Sequence, residues 1–222
     1  MSSLDEIYSR KEIDYFSQAR TDVISFLPAY SDRALEIGCG TGATLSLLKS
    51  LGRAKNVVGI EGFSEAASIA ATVLDEAICY DLNDPIDNAN LGEFDLILCL
   101  DVLEHLVTPI DVLRSLKNIL KPNGTLVVSL PNVRFAPVLF SLLFLGRWDY
   151  VDEGVLDRTH LRFFTKSTGR ELIEDAGFKL MATNSPPFSL QSSASVASLL
   201  SLGLLNDFFA RQFIFTACHP SF

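Results

Sequence analysis

Leu35-Glu36-Ile37-Gly38-Cys39-Gly40-Thr41-Gly42-Ala43 is the stretch whose reading decides the fold. Ala34 to Ile37 is a short apolar strand that enters a glycine-rich turn. Ala43 to Leu51 follows as a helix with apolar Leu45, Leu48 and Leu51, closed by Gly52. Glycines at 38, 40 and 42 let the chain turn sharply and let a ligand approach without Cβ clashes. A turn of this kind lies at the carboxyl edge of a strand, where open α/β sheets bind ligands. Gly38-x-Gly40-x-x-Ala43 also fits a dinucleotide fingerprint, with Glu61 near the spacing of a ribose acid. At this point two classes of nucleotide cofactor remain open.

The same rhythm continues downstream. Val57 to Ile60 reads as the second strand, Ser64 caps an Ala-rich helix to about Asp75, and Ala77 to Tyr80 is the third strand. Asp95 to Leu100 is a fourth, apolar enough to be buried on both faces. Thr108-Pro109-Ile110-Asp111 opens a helix with a capping Thr, Pro at the first helical position and an acid at the third. That helix runs to about Leu120, Lys121 to Gly124 turns the chain, and Thr125 to Leu130 is the fifth strand. Strands and helices in alternation predict an α/β fold with a doubly wound, mostly parallel sheet. Upstream, Tyr15 to Leu27 has helical spacing and stops at Pro28.

Beyond Pro131 the pattern changes. Val133 to Val155 is an apolar and aromatic insertion, Thr165 to Ala176 a helix ended by Gly177, and Phe178 to Thr183 a strand. Ser185 to Ser195 reads as a loop, Val196 to Leu205 as a short apolar helix, and Gln212 to Cys218 as the last strand. The two late strands predict a pair added antiparallel at one sheet edge. The whole chain, 1–222, is expected to form a single unit.

Composition bounds the function. Eighteen basic against 27 acidic residues leave a net charge of −9, which disfavours tight nucleic-acid binding. Cys39, Cys79, Cys99 and Cys218 are far apart, with no metal-ligand spacing, and read as buried thiols of a reducing compartment. The N-terminus shows no secretory pattern, and Phe135 to Leu145 falls short of the roughly 18 to 20 residues of a spanning helix. A soluble cytoplasmic protein without a membrane span is expected.

The acids separate the two cofactor classes. Glu36 stands inside the first strand, where a carboxylate can face a ligand's ammonium. Glu61 ends the second strand, where it can accept from a ribose diol. Asp81 ends the third, placed to accept from an adenine amino group while Leu82 covers the ring, with Asp84 competing for that role. The fourth strand ends in Leu100-Asp101-Val102-Leu103-Glu104-His105. A turn that merely packs helix on sheet would leave Glu36, Glu61 and Asp81 unexplained.

Leu-Glu-Ile-Gly-Cys-Gly-Thr-Gly (35–42), Val-Val-Gly-Ile-Glu (57–61), Phe-Asp-Leu-Ile-Leu-Cys-Leu-Asp-Val-Leu-Glu-His-Leu (94–106) and Leu-Lys-Pro-Asn-Gly-Thr-Leu (120–126) occur in this order. Together they resemble a class I S-adenosylmethionine-dependent methyltransferase. The resemblance implies a seven-stranded Rossmann-like sheet with the last strand antiparallel. It implies S-adenosyl-L-methionine as cofactor, with Gly38, Gly40 and Gly42 near the methionine portion, Glu61 at the ribose and Asp81 at the adenine. Backbone near Leu100 would receive the methionine ammonium. Glu36, Cys39, Gly62 and Leu82 complete the expected cofactor set.

Leu130-Pro131-Asn132-Val133, Gly146-Arg147-Trp148 and Leu156-Asp157-Arg158-Thr159-His160-Leu161-Arg162-Phe163-Phe164-Thr165 extend the likeness. They are similar to small-molecule methyltransferases that include methionine-biosynthesis W-type proteins, ubiquinone-pathway-like enzymes, and enzymes of glycan or secondary-metabolite pathways. The implied reaction is methyl transfer to a small-molecule acceptor, at a hydroxyl oxygen in the leading reading. His105 and His160 follow strands at the ligand edge and are the candidate general bases, with His160 slightly ahead. Both can instead be structural.

Asp101-x-x-Glu104-His105 with His160 is also similar to the pattern of metal-dependent small-RNA and quinone-pathway O-methyltransferases, which keeps a divalent metal open without favouring it. Arg147, Arg158, Arg162, Lys166 and Arg170 either hold one anionic substrate group or are scattered solvated charges. The expected division of labour is a helical lid over 1–30, a cofactor core over 31–130, and substrate-side insertions over 131–165 and 184–211. Apolar Phe135 to Trp148 and Leu199 to Phe209 either roof an acceptor pocket or supply core or a homodimer face. A nicotinamide oxidoreductase, or a non-catalytic partner protein on the same fold, are the alternatives; no Tyr-x-x-x-Lys relay supports the first.

Overall fold

Alternation along the strands builds hydrophobic layers on both faces of one sheet. The computed structural model describes residues 13–84, 91–186 and 206–220. Among these, seven strands run in the order β3-β2-β1-β4-β5-β7-β6. They are β1 (Ser31–Ile37), β2 (Ala54–Glu61), β3 (Glu76–Cys79), β4 (Phe94–Leu100), β5 (Leu120–Pro131), β6 (Lys179–Asn184) and β7 (Gln212–Cys218). β1 to β5 pair in parallel, and β7 is antiparallel to both β5 and β6. The late strand pair and its antiparallel member are therefore as the sequence predicts.

Side chains one residue apart point to opposite faces of a strand. Leu35 and Ile37 pack on one side with Ile97, Val128 and Phe215, while Ala34 packs on the other with Val57, Leu98 and Val127. The first layer is covered by α3 (Pro109–Ile119) and α5 (Lys166–Asp175), through Leu113, Leu116 and Ile173. The second is covered by α1 (Ala43–Ser50), through Leu45 and Leu48, and by α2 (Ser64–Val73), through Ala70. α4 (Ala136–Leu145) buries no residue, and α6 (Asn206–Phe209) is a single turn before β7.

Several local expectations change. Tyr15 to Leu27 is not one helix but two 3-10 turns, Ile13–Phe16 and Thr21–Phe26. The link between them is pulled straight across the sheet edge, where the Phe16 carbonyl accepts from Thr41 N–H at 3.0 Å and Arg20 N–H donates to Thr44 Oγ1 at 3.2 Å. Ser64 is the first helical residue and Phe63 holds the cap position. Thr108 holds its cap position without a side-chain bond. Thr165 does cap α5, in a reciprocal box with Thr168. Lys121 to Gly124 lie within β5 as an irregularity, because β4 shifts register between Phe94 and Leu96. Cys39 and Cys99 are buried, whereas Cys79 is exposed and Cys218 half-buried, so only two of the four thiols match the buried reading. The predicted helix Val196 to Leu205 lies outside the described residues, as does the predicted loop from 187 onward.

Candidate active site

A cavity of about 710 Å³ opens at the carboxyl ends of β1, β2 and β4. Glu36, Gly38, Cys39, Gly40, Glu61, Gly62, Asp81, Leu82 and Leu100 line it, together with Asp101, His105 and His160. Gly42, expected in the cofactor set, does not. It caps α1 in left-handed conformation at φ 82°, and a Cβ there would lie 2.9 Å from Leu74 Cγ. Its glycine is explained by packing. Gly38 and Gly40 also have positive φ, 68° and 53°. A Cβ on Gly38 would sit 2.6 Å from Val102, and one on Gly40 would strike the Phe16 carbonyl, so the turn is built for close backbone approach on both sides.

Glu61 joins the turn to β2. Gly40 N–H donates to its Oε2 at 2.8 Å and Phe63 N–H to its Oε1 at 2.9 Å. Burial pushes its pKa up while these backbone donors oppose the shift. A carboxylate offers about four acceptor positions, so capacity for a diol remains. Asp81 Oδ1 accepts from both nitrogens of Asn83, at 2.9 and 3.0 Å, forming an Asx turn. Asp84 is exposed and does not line the cavity.

Glu36 is the most informative acid. Burial pushes its pKa up to about 8, against the charge of Arg20 and a hydrogen bond from Thr44, and Glu61 adds to the rise. Its Oε2 is buried without a hydrogen-bond partner. An orphaned carboxyl oxygen beside a cavity is costly unless a ligand supplies the missing charge or donor. A compound with an ammonium, a ribose and an adenine ring matches Glu36, Glu61 and Asp81 in turn, so the residues present fit S-adenosylmethionine.

Sequence reading missed Arg20. It reaches from the N-terminal segment to Asp101, donates to Ser129 Oγ at 3.3 Å, and binds Asp22 through two bonds of 2.9 Å. Gln212 Nε2 closes the network on Asp22 at 3.0 Å. Burial works to lower the Arg20 pKa, but the hydrogen bond to Asp22 and the charges of Asp101, Asp22 and Glu36 hold it above its ordinary value. Asp101 has φ 53°, a conformation unusual for a non-glycine, and is fixed there by Arg20 and by Ser129, which donates at 2.7 Å. Arg20 is separated from Asp101 and Ser129 by 81 and 109 residues, so no local pattern announces the network.

The two histidines meet because their segments dock on each other. Leu161 and Arg162 N–H both donate to the Glu104 carbonyl, at 2.8 and 3.0 Å. Asp157 Oδ1 accepts from Thr159 N and Oγ1, which tightens the turn carrying His160. The imidazoles of His105 and His160 then lie edge to face with centroids 4.8 Å apart. His105 Nδ1 meets the Thr159 carbonyl at 3.2 Å and His160 Nδ1 the Val155 carbonyl at 3.1 Å. A carbonyl only accepts, so each ring presents an N–H at Nδ1.

Glu104 completes the group. Ligand atoms of Glu104, His105 and His160 lie within 4.8 Å of one another, a set able to hold a cation. Asp101, expected in that set, is engaged by Arg20 instead. Burial, aided by the charge of Asp101, pushes the Glu104 carboxyl well above the usual range. The proposed basic cluster does not assemble at the cavity. Arg147, Arg158 and Lys166 pair separately with Asp149, Asp152 and Asp207, and Arg162 donates to the Val107 carbonyl. Phe135 and Phe209, at the ends of the two apolar segments expected to roof a pocket or supply core, line the remaining wall with Glu153, Val155 and Arg211, which were not named in advance.

Residues 9–183 match the family described as methyltransferase domain. The chain therefore belongs to that family, as a class I S-adenosylmethionine-dependent methyltransferase. It is similar to the ubiquinone biosynthesis O-methyltransferase of Cereibacter sphaeroides, 30% identical over 163 residues, which are 70% of this chain and 64% of that protein. The enzyme of the same description from Actinobacillus pleuropneumoniae is 29% identical over 129 residues, covering 54% of this chain and 52% of that one. The chain thus spans between half and two thirds of these two curated relatives. An Archaeoglobus fulgidus S-adenosylmethionine-dependent methyltransferase structure has TM-score 0.63 at 15% identity, covering 98% of this chain and 100% of its own. The methyltransferase solved with the Trm112 activator of Haloferax volcanii also has TM-score 0.63, at 14% identity, covering 99% and 94%. At such identities the structures show a shared fold. Among the described residues, no helix is long and apolar enough to cross a membrane.

Proposed function

We propose that the protein transfers a methyl group from S-adenosylmethionine to a hydroxyl oxygen of a small molecule. The observation that carries this reading is one cavity lined both by the acids suited to the cofactor and by a pair of histidines oriented through their Nδ1 atoms. The ubiquinone-pathway relatives act on oxygen by description, which supports the choice of a hydroxyl. A glycan, quinone or secondary-metabolite intermediate fits this chemistry. The free cysteines agree with a reducing cytoplasmic setting.

Glu36, the turn at Gly38 to Gly40, Glu61, Asp81, Leu82 and backbone near Leu100 would hold the cofactor, which when bound supplies an electrophilic methyl group. The chain's own work is alignment, exclusion of water and proton removal. His105 Nε2 takes the acceptor hydroxyl proton as the oxygen attacks. His105 is the more accessible ring, and His160, with a side chain only 4% exposed, is the second candidate. Arg20, adjacent to Glu36 and tied to Asp101, provides the positive charge for a carboxylate. In this reading the N-terminal segment would close the cavity, 31–130 would hold the cofactor, and 131–165 with 184–211 would shape the acceptor side.

The test is mass spectrometry of products from a panel of hydroxylated aromatics and sugars. A methyl ether supports the reading. Methyl on nitrogen or carbon overturns the choice of oxygen, and cofactor binding without any turnover favours a partner-dependent protein.

A further inference from the structure

The described surface is anomalous at one place. α4 has nine apolar residues in ten, and Ser141 is its one polar side chain. Leu143 and Phe144 are 72% and 73% exposed, and Phe140, Leu142 and Leu145 are exposed beside them. A contiguous apolar patch of this kind marks a surface that meets something. Pro131 and Phe135, just before the helix, line the cavity, so the helix rises from the cavity rim.

The geometry of exposure decides what it meets. At about 100° per residue, the consecutive residues Leu142 to Leu145 span about 300° of the helix circumference. A flat second surface would cover one side of such a helix, whereas the hydrocarbon of a lipid surface can wrap most of its circumference. Ten residues make about 15 Å of helix, enough to enter one leaflet and about half of what a bilayer core requires. Charge agrees. From Val112 to Trp148 the sequence has no acid, although the chain carries 27, and Arg134 and Arg147 bracket the helix. The Asp149 contact of Arg147 uses Nε and leaves the rest of an exposed guanidinium for other oxygens, and Arg134 lies over the Phe208 ring. Cations flanking an apolar helix suit the phosphate layer of a lipid surface.

We propose that α4 docks the protein on a lipid surface, with its apolar end in the outer hydrocarbon and Arg134 and Arg147 at the headgroup phosphates. The inference is independent of the methylation chemistry, since it rests on the outside of the molecule. Docking would set the cavity mouth against the lipid and would let the protein stay in water when no lipid is present.

The experiment is flotation of the full chain with phosphatidylcholine vesicles, with and without phosphatidylglycerol. Wild-type protein is expected to float with the vesicles, more with the anionic ones. Leu143→Glu with Phe144→Glu is expected to lower bound protein at least tenfold at an unchanged melting temperature. Leu51→Glu, the same change at an exposed leucine just after α1, is expected to bind like wild type. Arg147→Glu is expected to remove most of the preference for anionic vesicles. Wild-type protein that stays in the soluble fraction with both vesicles overturns the proposal, whether it runs as a monomer or as a dimer that the double variant splits. Equal loss in the Leu51 variant overturns it as well.

Discussion

His160 Nε2 lies 3.8 Å from Glu104 Oε1, with both side chains almost wholly enclosed. Neither Glu104 oxygen has a hydrogen-bond partner, so a slight movement of either residue would make the contact. Burial pushes the Glu104 carboxyl well above the usual range, which favours its neutral form over a buried charge beside His160. His160 is held at Nδ1 by the Val155 carbonyl and enclosed beside Glu104, and His105, edge to face with it, is the more accessible ring.

The two histidines should separate in a substitution experiment. His105→Ala is expected to lower kcat by roughly 10²- to 10⁴-fold, with cofactor binding kept. His160→Ala is expected to lower the melting temperature and to affect turnover through the tilt of its neighbour. Steady-state kinetics with thermal unfolding checks both, and wild-type turnover in both variants would remove histidine from the chemistry.

Chelation tests the cation-binding alternative at the same place. Dialysis against a chelator is expected to leave turnover unchanged. Loss of activity restored by one divalent ion, and absent in Glu104→Gln, would instead make the trio a metal site.

Glu36 gives the stability a pH dependence of defined sign. Its pKa is raised from the ordinary 4.5 of a glutamate to about 8, so between these values the folded state holds a proton that the unfolded chain has released. That contribution is fully present below about pH 4.5 and is lost as pH rises towards about 8, by about 1.4 kcal/mol per unit at most. Chemical denaturation across this range should show the fall, and Glu36→Gln should flatten it. A cationic ligand beside Glu36 should bind more tightly as pH approaches 8.

Gly40→Ala tests the docking of the N-terminal segment on the turn. The left-handed conformation costs about 1–2 kcal/mol, and the new Cβ would collide with the Phe16 carbonyl. Lower stability and at least a tenfold loss of cofactor affinity are expected from calorimetry. An equal substitution at Gly52, where a Cβ meets nothing within 4 Å, should cost only the backbone strain.

Legibility in the sequence followed the range of the interactions. The parallel core was readable because each strand and helix carries its own periodicity, and the acids proposed for the cofactor stood out because they fall at or beside strand ends. The N-terminal segment was misread as one helix because Thr41 and Thr44 hold it through bonds spanning some 24 residues, which outweigh its local spacing. Gly42 was assigned to the ligand because a glycine signals close approach without saying to what, and here the neighbour is Leu74. Arg20 gave little local sign, since only Asp22 is near it in sequence, while Asp101, just after β4, and Ser129, on β5, are 81 and 109 residues away. The His105 and His160 pairing was visible only as two histidines after strands; the bonds from Leu161 and Arg162 to the Glu104 carbonyl make it a site.

The most direct measurement is calorimetric titration of the purified protein with S-adenosylhomocysteine, with NAD as the parallel ligand and Glu61→Ala as the control. The account predicts micromolar binding of S-adenosylhomocysteine, its loss in Glu61→Ala, and no signal from NAD. Silence from S-adenosylhomocysteine in a folded wild-type protein, or equal binding by Glu61→Ala, would contradict it.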